Sequence, residues 1–146
     1  MARLSLRDRA IRLLARREYA RAELERQLLG KGGERSEVRA LLDALAAEGY
    51  LSDARYARSI AAQKAGRYSR RSIAEGLKAR GVGRDDIDAA LAEAPVDDDA
   101  ALTALWRRRF GRAPADERDK ARQVRFLQAR GFALSAILKL LRGVDE

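Results

Sequence analysis

Arginine carries whatever chemistry this sequence offers. It supplies 26 of the 31 basic residues, against 22 acidic ones, and leaves a formal charge of +9 with no histidine and no cysteine. A guanidinium is a permanently charged planar fork, suited to bidentate contact with phosphate or carboxylate. Without histidine the commonest general base and the commonest transition-metal ligand are missing. Without cysteine there are no disulfides, thiolate metal sites or thiol nucleophile. A carboxylate-only magnesium site stays formally open, and Asp97-Asp98-Asp99 is the one run to consider for it. Consecutive residues cannot all converge on one cation, so these aspartates are expected to charge a helix N-terminus instead. No phosphate-binding glycine loop, serine triad or paired-carboxylate spacing occurs. The chemistry expected is binding rather than catalysis, with no cofactor and no metal. A coding bias toward Arg and Ala also accounts for the Arg/Lys ratio, but the net charge still implies affinity for polyanions.

Four arginine clusters could carry that binding. Arg67, Tyr68, Ser69, Arg70 and Arg71 fall at the start of a predicted helix, where outward-facing N–H groups favour anions. The arginines could hold phosphate and Tyr68 could stack on a base; the alternative is that Tyr68 packs between helices, as Tyr19 would, with the arginines merely solvated. Arg107 and Arg108, followed by Arg109, come after Trp106 near a helix end. Three consecutive bases point in three directions, so at most two share a surface, and cations there also complement the helix dipole. Trp106 and Phe110, four apart, read as core. Arg118, Lys120, Arg122 and Arg125 lie on one strongly basic amphipathic helix, where Arg118, Arg122 and Arg125 share a face opposite Val124 and Leu127. Arg16 and Arg17 form a weaker pair of the same kind.

The elements that must position these residues are written three times. Leu28-Leu29-Gly30-Lys31-Gly32, Leu77-Lys78-Ala79-Arg80-Gly81 and Leu127-Gln128-Ala129-Arg130-Gly131 recur at offsets of 49 and 50. Each is followed at matching distance by an apolar trio: Val38, Leu41 and Leu42; Ile87, Ala90 and Leu91; Ile137, Leu140 and Leu141. Upstream, Tyr19 matches Tyr68 and Leu24 matches Ile73, while the third copy carries an insertion around Pro114. Each copy reads as three helices with apolar residues at helical spacing. The first comprises Leu6 to about Arg17, Arg21 to Leu29, and a helix capped by Ser36. The second comprises Asp53 to Ala65, Ser69 or Arg70 to Arg80, and Asp85 to Glu93. The third comprises Asp97 to Phe110, Asp116 to Arg130, and Ala133 to Arg142. No window alternates as a strand would.

The fold expected is therefore all-α: three tandem three-helix repeats, at 1–51, 52–96 and 97–146, forming an elongated body whose curvature is open. A unit of this size has a very small core, and stacking lets neighbours share hydrophobic surface. Pro95 disfavours helix through Ala94 and marks the firmer boundary. Residues 1–50 hold 11 bases and 8 acids, 51–96 hold 9 and 6, and 97–146 hold 11 and 8. Equal charge on each unit suits a surface that follows a long polyanion. No apolar run approaches the roughly 20 residues of a membrane span. Met1-Ala2-Arg3-Leu4-Ser5 lacks the apolar run of a secretory signal. A cytoplasmic location is the default expectation.

Ala10-Ile11-Arg12-Leu13-Leu14-Ala15-Arg16-Arg17-Glu18-Tyr19, Glu48-Gly49-Tyr50-Leu51-Ser52-Asp53-Ala54-Arg55-Tyr56-Ala57, Gly66-Arg67-Tyr68-Ser69 and Lys78-Ala79-Arg80-Gly81-Val82 occur in this order. They are followed by Lys120-Ala121-Arg122-Gln123-Val124-Arg125-Phe126-Leu127-Gln128-Ala129-Arg130-Gly131-Phe132. Together, on a threefold helical repeat, they resemble the RecX family of recombinase regulators over almost the whole chain. Gly49-Tyr50-Leu51 with Asp53, and the Arg130-Gly131-Phe132 ending, are the most specific pieces. The resemblance implies a non-enzymatic monomer that binds the RecA filament on single-stranded DNA, with double-stranded DNA left open. It implies inhibition of filament ATPase, extension and strand exchange, and a role in DNA repair and the SOS response. Charge and periodicity alone imply less, a generic basic helical-repeat binder of nucleic acid without a recombinase partner. One departure stands out: many relatives place Ser or Thr where this chain has Ala20, opening a capping box with Glu23. An alanine there is expected to cost about 1 kcal/mol locally.

Overall fold

A computed structural model describes residues 4–94 and 97–144. Pro95, which marks the second predicted boundary, and Met1-Ala2-Arg3 lie outside the described residues. Among those described there are nine helices and no strand. They are α1 (Leu6–Arg16), α2 (Arg21–Gly30), α3 (Arg35–Ala47), α4 (Asp53–Lys64), α5 (Arg70–Ala79), α6 (Arg84–Glu93), α7 (Asp98–Arg109), α8 (Glu117–Ala129) and α9 (Leu134–Val144).

Local chemistry sets these boundaries. Ser5, Ser52, Ser69, Asp97 and Asp116 each precede a helix, and each side chain accepts from the N–H three residues on. These bonds satisfy one of the orphan donors of every first turn they serve. Ala20 has no side-chain cap, as expected, yet the Glu23 carboxylate still accepts from the Ala20 N–H at 3.0 Å. Half of the capping box therefore survives. Ser36 is not the cap of α3: the helix begins at Arg35 behind Glu34, and the Ser36 hydroxyl donates to the Glu34 carboxylate at 2.9 Å. The helix begins two residues earlier than the serine suggests because Glu34 itself adopts the extended backbone of a cap.

The recurring Leu-to-Gly motif is a helix stop. Gly32, Gly81 and Gly131 take φ of +87°, +86° and +91°. The next N–H bonds back to the carbonyls of Leu28, Leu77 and Leu127, which is the glycine-terminated Schellman arrangement. Gly33, Val82 and Phe132 follow. Val82 and Phe132 are buried against their own units, and at Gly33 the space is taken by the Val38 side chain, the Leu28 carbonyl and the Leu6 side chain.

Each set of three helices encloses its own core. Ala10, Leu24, Leu28, Val38, Leu42 and Leu45 form the first. Tyr56, Ala57, Ala61, Ile73, Leu77 and Ile87 form the second. Leu102, Leu105, Trp106, Leu127, Ile137 and Leu141 form the third. Trp106 is thus a core residue and the partly buried Phe110 packs against the same core, with Trp106 Nε1 donating to the buried Gln123 amide at 2.9 Å. Among the described residues only Ala20 crosses, packing from the first unit into the second core. Among the described residues the units share hydrophobic surface at Ala20 and otherwise keep separate buried cores.

The joints are polar and repeat one device. The N–H of Arg21, first residue of α2, donates to Asp53 at 2.7 Å, and that of Arg70, first residue of α5, donates to Asp98 at 2.9 Å. Gly81 and Gly131 press on the first turn of the preceding unit's middle helix. A Cβ on Gly81 would lie 2.7 Å from the Cβ of Ala22, and one on Gly131 2.6 Å from that of Ser72. Gly32, in the first unit, meets nothing within 4 Å.

Candidate nucleic-acid interface

The turn between α4 and α5, the end of α7 and the end of α8 meet at the second joint. They line a shallow concavity of about 380 Å³ with Arg67, Leu105, Arg108, Arg109, Phe126 and Arg130. Arg67, Arg108 and Arg109 are exposed. The Arg130 guanidinium lies 4.8 Å from the Tyr68 ring and 4.9 Å from that of Phe126. The Lys64 ammonium also stands 5.1 Å from the Tyr68 ring. Arg109 lies 5.5 Å over Phe110 and 5.2 Å over Phe126. Aromatic faces attract and orient cations, so these rings orient Arg109 and Arg130. Among the described residues, none of Lys64, Arg67, Arg108, Arg109 and Arg130 forms an ion pair with a carboxylate. Uncompensated positive charge around a concave surface concentrates anions there.

The predicted residues divide sharply. Arg67 lines the seam, and Tyr68 sits half-buried beneath it, packed against Lys64 and Arg130. Arg70 turns back onto its own unit. Its guanidinium donates to the carbonyls of Leu91 and Ala94 at 2.8 Å, closing the C-terminal end of α6. The expected anion site at the start of α5 is likewise filled. Asp98 takes the Arg70 N–H and the Ser69 hydroxyl takes the Ser72 N–H, because stacking brings the next unit's aspartate onto that helix end. Arg71 is exposed and pairs with Glu75 on its own helix at 3.1 Å.

From the Arg107–Arg109 run, Arg108 and Arg109 reach the seam and Arg107 does not line it. Arg108 also donates to the Gly66 carbonyl at 3.1 Å, across the joint. Arg118, Arg122 and Arg125 are exposed on α8, but Arg122 pairs with Asp119 at 2.8 Å and lies over Phe110. Asp119 is held below the usual carboxylate range, chiefly by the Ala115 N–H and then by Arg122. Lys120 turns to the opposite side, into a groove with Pro114, Leu138 and Arg142. Arg17 is spent within the first unit, 3.6 Å over the Tyr19 ring and bonded to Glu23. Arg16 ends α1 exposed.

Lys64 and Arg130, which also meet at this seam, were not sequence candidates, and Arg109 was named only as the third base of its run. A usable signal was present in the aligned repeats. Position Glu18 of the first copy becomes Arg67 in the second, while Arg80 is kept as Arg130. Net charge was even along the chain, but unpaired charge is not. A larger groove of about 660 Å³ at the first joint combines Arg26, Lys31 and Arg80 with Glu23, so its sign is mixed. Glu23 is pushed up by burial yet held low overall by the Ala20 N–H and Arg17. Burial and the Glu23 charge together push the Tyr56 phenol up.

Similarity to other proteins follows the same three-helix pattern. Residues 52–91 match the domain described as "RecX, second three-helix domain", and residues 97–141 match "RecX, third three-helix domain". The Regulatory protein RecX of Ectopseudomonas mendocina is 45% identical, covering 98% of this chain and 97% of the relative. That of Ralstonia pickettii is 40% identical, covering 98% and 90%. The crystal structure of RecX from Lactobacillus salivarius superposes with a TM-score of 0.69 at 16% identity, covering 96% of this chain and 94% of that one. A crystal structure of a second regulatory protein RecX gives 0.72 at 20% identity, covering 97% and 72%. The solved structures share the fold.

Proposed function

The chain belongs to the RecX family of regulatory proteins, and on that premise we propose that it binds the RecA recombinase filament on single-stranded DNA and restrains it. Restraint here means lower ATP hydrolysis, slower filament extension and less strand exchange. The single observation that carries the reading is identity of 45% across 98% of the chain to a regulator of this family. The seam at the second joint supplies the physical means. Arginines held open on aromatic rings neutralise phosphates and release counterions, and they do so without sequence preference. The protein acts by binding alone, as a monomer in the cytoplasm, during DNA repair and the SOS response. No described helix is long and apolar enough to cross a membrane.

The test is ATP hydrolysis by the recombinase on single-stranded DNA, with this protein titrated in at physiological salt. Inhibition well below one protein per recombinase subunit is expected, since a filament regulator acts on an assembled polymer. Salt-sensitive DNA binding without inhibition would instead leave a generic basic helical repeat and refute the recombinase partner.

A further inference from the structure

The two joints use the same positions with opposite electrostatics. At the first joint Glu18 accepts from Arg55 Nε at 2.9 Å, and Glu23 stands 4.0 Å from Arg80 Nε. Both ion pairs cross from the first unit to the second. At the second joint the repeat places Arg67 where Glu18 stands and Ser72 where Glu23 stands, and it keeps the base as Arg130. Arg55 itself is replaced by Ala100. The second joint has therefore lost both acids and kept its cation, with Arg108 and Arg109 added from α7. Among the described residues no hydrophobic cluster spans it. What holds it are backbone contacts: the Ser69 N–H on the Arg130 carbonyl at 3.0 Å, the Arg70 N–H on Asp98, and Arg108 on the Gly66 carbonyl. Like charges face each other across a joint that these bonds, the Gly131 contact with Ser69 and Ser72, and Arg130 over Tyr68 hold closed.

We propose that the seam is a two-sided phosphate clamp: a chain of two or more phosphates bridges Arg67 of the second unit to Arg108, Arg109 and Arg130 of the third, and so fixes the angle between those units. The ligand supplies the negative charge that Glu18 and Glu23 supply at the first joint. One phosphate satisfies one wall, and a phosphodiester or polyphosphate chain satisfies both. The first joint is closed by the chain itself and needs no ligand. This inference rests on the polyanion binding of the proposed function but not on the recombinase.

The full chain has no cysteine, so pairs of spin labels can be placed at will. Ala89→Cys with Ser135→Cys reports the second joint, and Ala40→Cys with Ala89→Cys reports the first; all three positions are exposed. Distances are measured at low salt with no addition, with a twelve-residue oligothymidylate, and with inorganic pyrophosphate. The second-joint distribution is expected to be broad alone and to narrow with oligothymidylate, while the first-joint distribution is narrow throughout. Narrowing by pyrophosphate as well assigns any polyphosphate as the ligand; narrowing by oligothymidylate alone assigns nucleic acid. Arg67→Gln and Arg109→Gln, exposed residues on opposite walls, should each weaken oligothymidylate binding and lower its salt slope by about 1. Saturated oligothymidylate binding with an unchanged second-joint distribution overturns the clamp. So does unaltered binding by the folded Arg67→Gln, Arg109→Gln double variant. Loss of recombinase inhibition with the clamp response intact defeats the functional reading alone.

Discussion

Replacing the three equivalent helix-stop glycines by alanine, one at a time, separates the cost of a turn from the cost of a joint. All three adopt φ near +90°, where a Cβ meets the following carbonyl at about 1–2 kcal/mol. Gly32→Ala should cost only that, because nothing lies within 4 Å of the added carbon. At Gly131 the new methyl falls 2.6 Å from the Ser72 Cβ and also overlaps the Ser69 hydroxyl that caps α5. Carbon contacts settle near 3.5–4.0 Å, so the joint must open by about 1 Å. Overpacking of this kind adds roughly 1–3 kcal/mol, which places Gly131→Ala at about 2–5 kcal/mol in all. Gly81→Ala, with Ala22 at 2.7 Å, should fall in the same range. Each kcal/mol lowers Tm by about 4 °C in a chain of this size. Urea unfolding followed by helicity reads the total. Trp106, the one tryptophan, reports the third core by its fluorescence. Gly131→Ala should also weaken oligonucleotide binding, since it displaces Arg130, whereas Gly32→Ala should leave binding unchanged. Equal losses at Gly32 and Gly131 would show that the glycines serve the turns alone and that the units are not closely docked.

Arg70→Gln should destabilise the protein by about 1–3 kcal/mol, through loss of two charge-assisted bonds to the α6 carbonyls. Arg71→Gln should stay within about 0.5 kcal/mol, because a surface pair four residues apart contributes little; thermal melts of the two variants check this. Glu23 gives the first joint an acid limb. Its folded pKa lies below the ordinary value, so its stabilisation is present above the unfolded glutamate pKa and is lost as pH falls through the folded one. Urea midpoints measured downward from pH 6 should therefore fall less steeply for Glu23→Gln than for the parent, by up to about one proton in slope.

How much was legible in the sequence varies by element. Helix spacing, the Leu-to-Gly stops and the Ser and Asp caps are local, and local chemistry decides them. Glycine at φ near +90° ends a helix wherever the repeat writes it, and Ser52 or Asp116 caps the turn that follows with no help from elsewhere. Trp106 and Phe110 were readable as core because an aromatic pair four residues apart on one face of a helix has few other places to go. The family resemblance was readable for the same reason, being carried by short stretches in a fixed order. Arg70 was not. Its type and position suggested an anion site, but the carbonyls it closes belong to α6 and the aspartate on its N–H to α7, both more than twenty residues away. Ser36 failed more narrowly, by two residues. The seam was hidden for a physical reason as well. Charge per unit counts every arginine alike, whereas a binding surface depends on which arginines have found a carboxylate. Arg17, Arg55 and Arg122 have one; Arg67, Arg108, Arg109 and Arg130 meet one another instead. Only the packing of one unit on the next decides that.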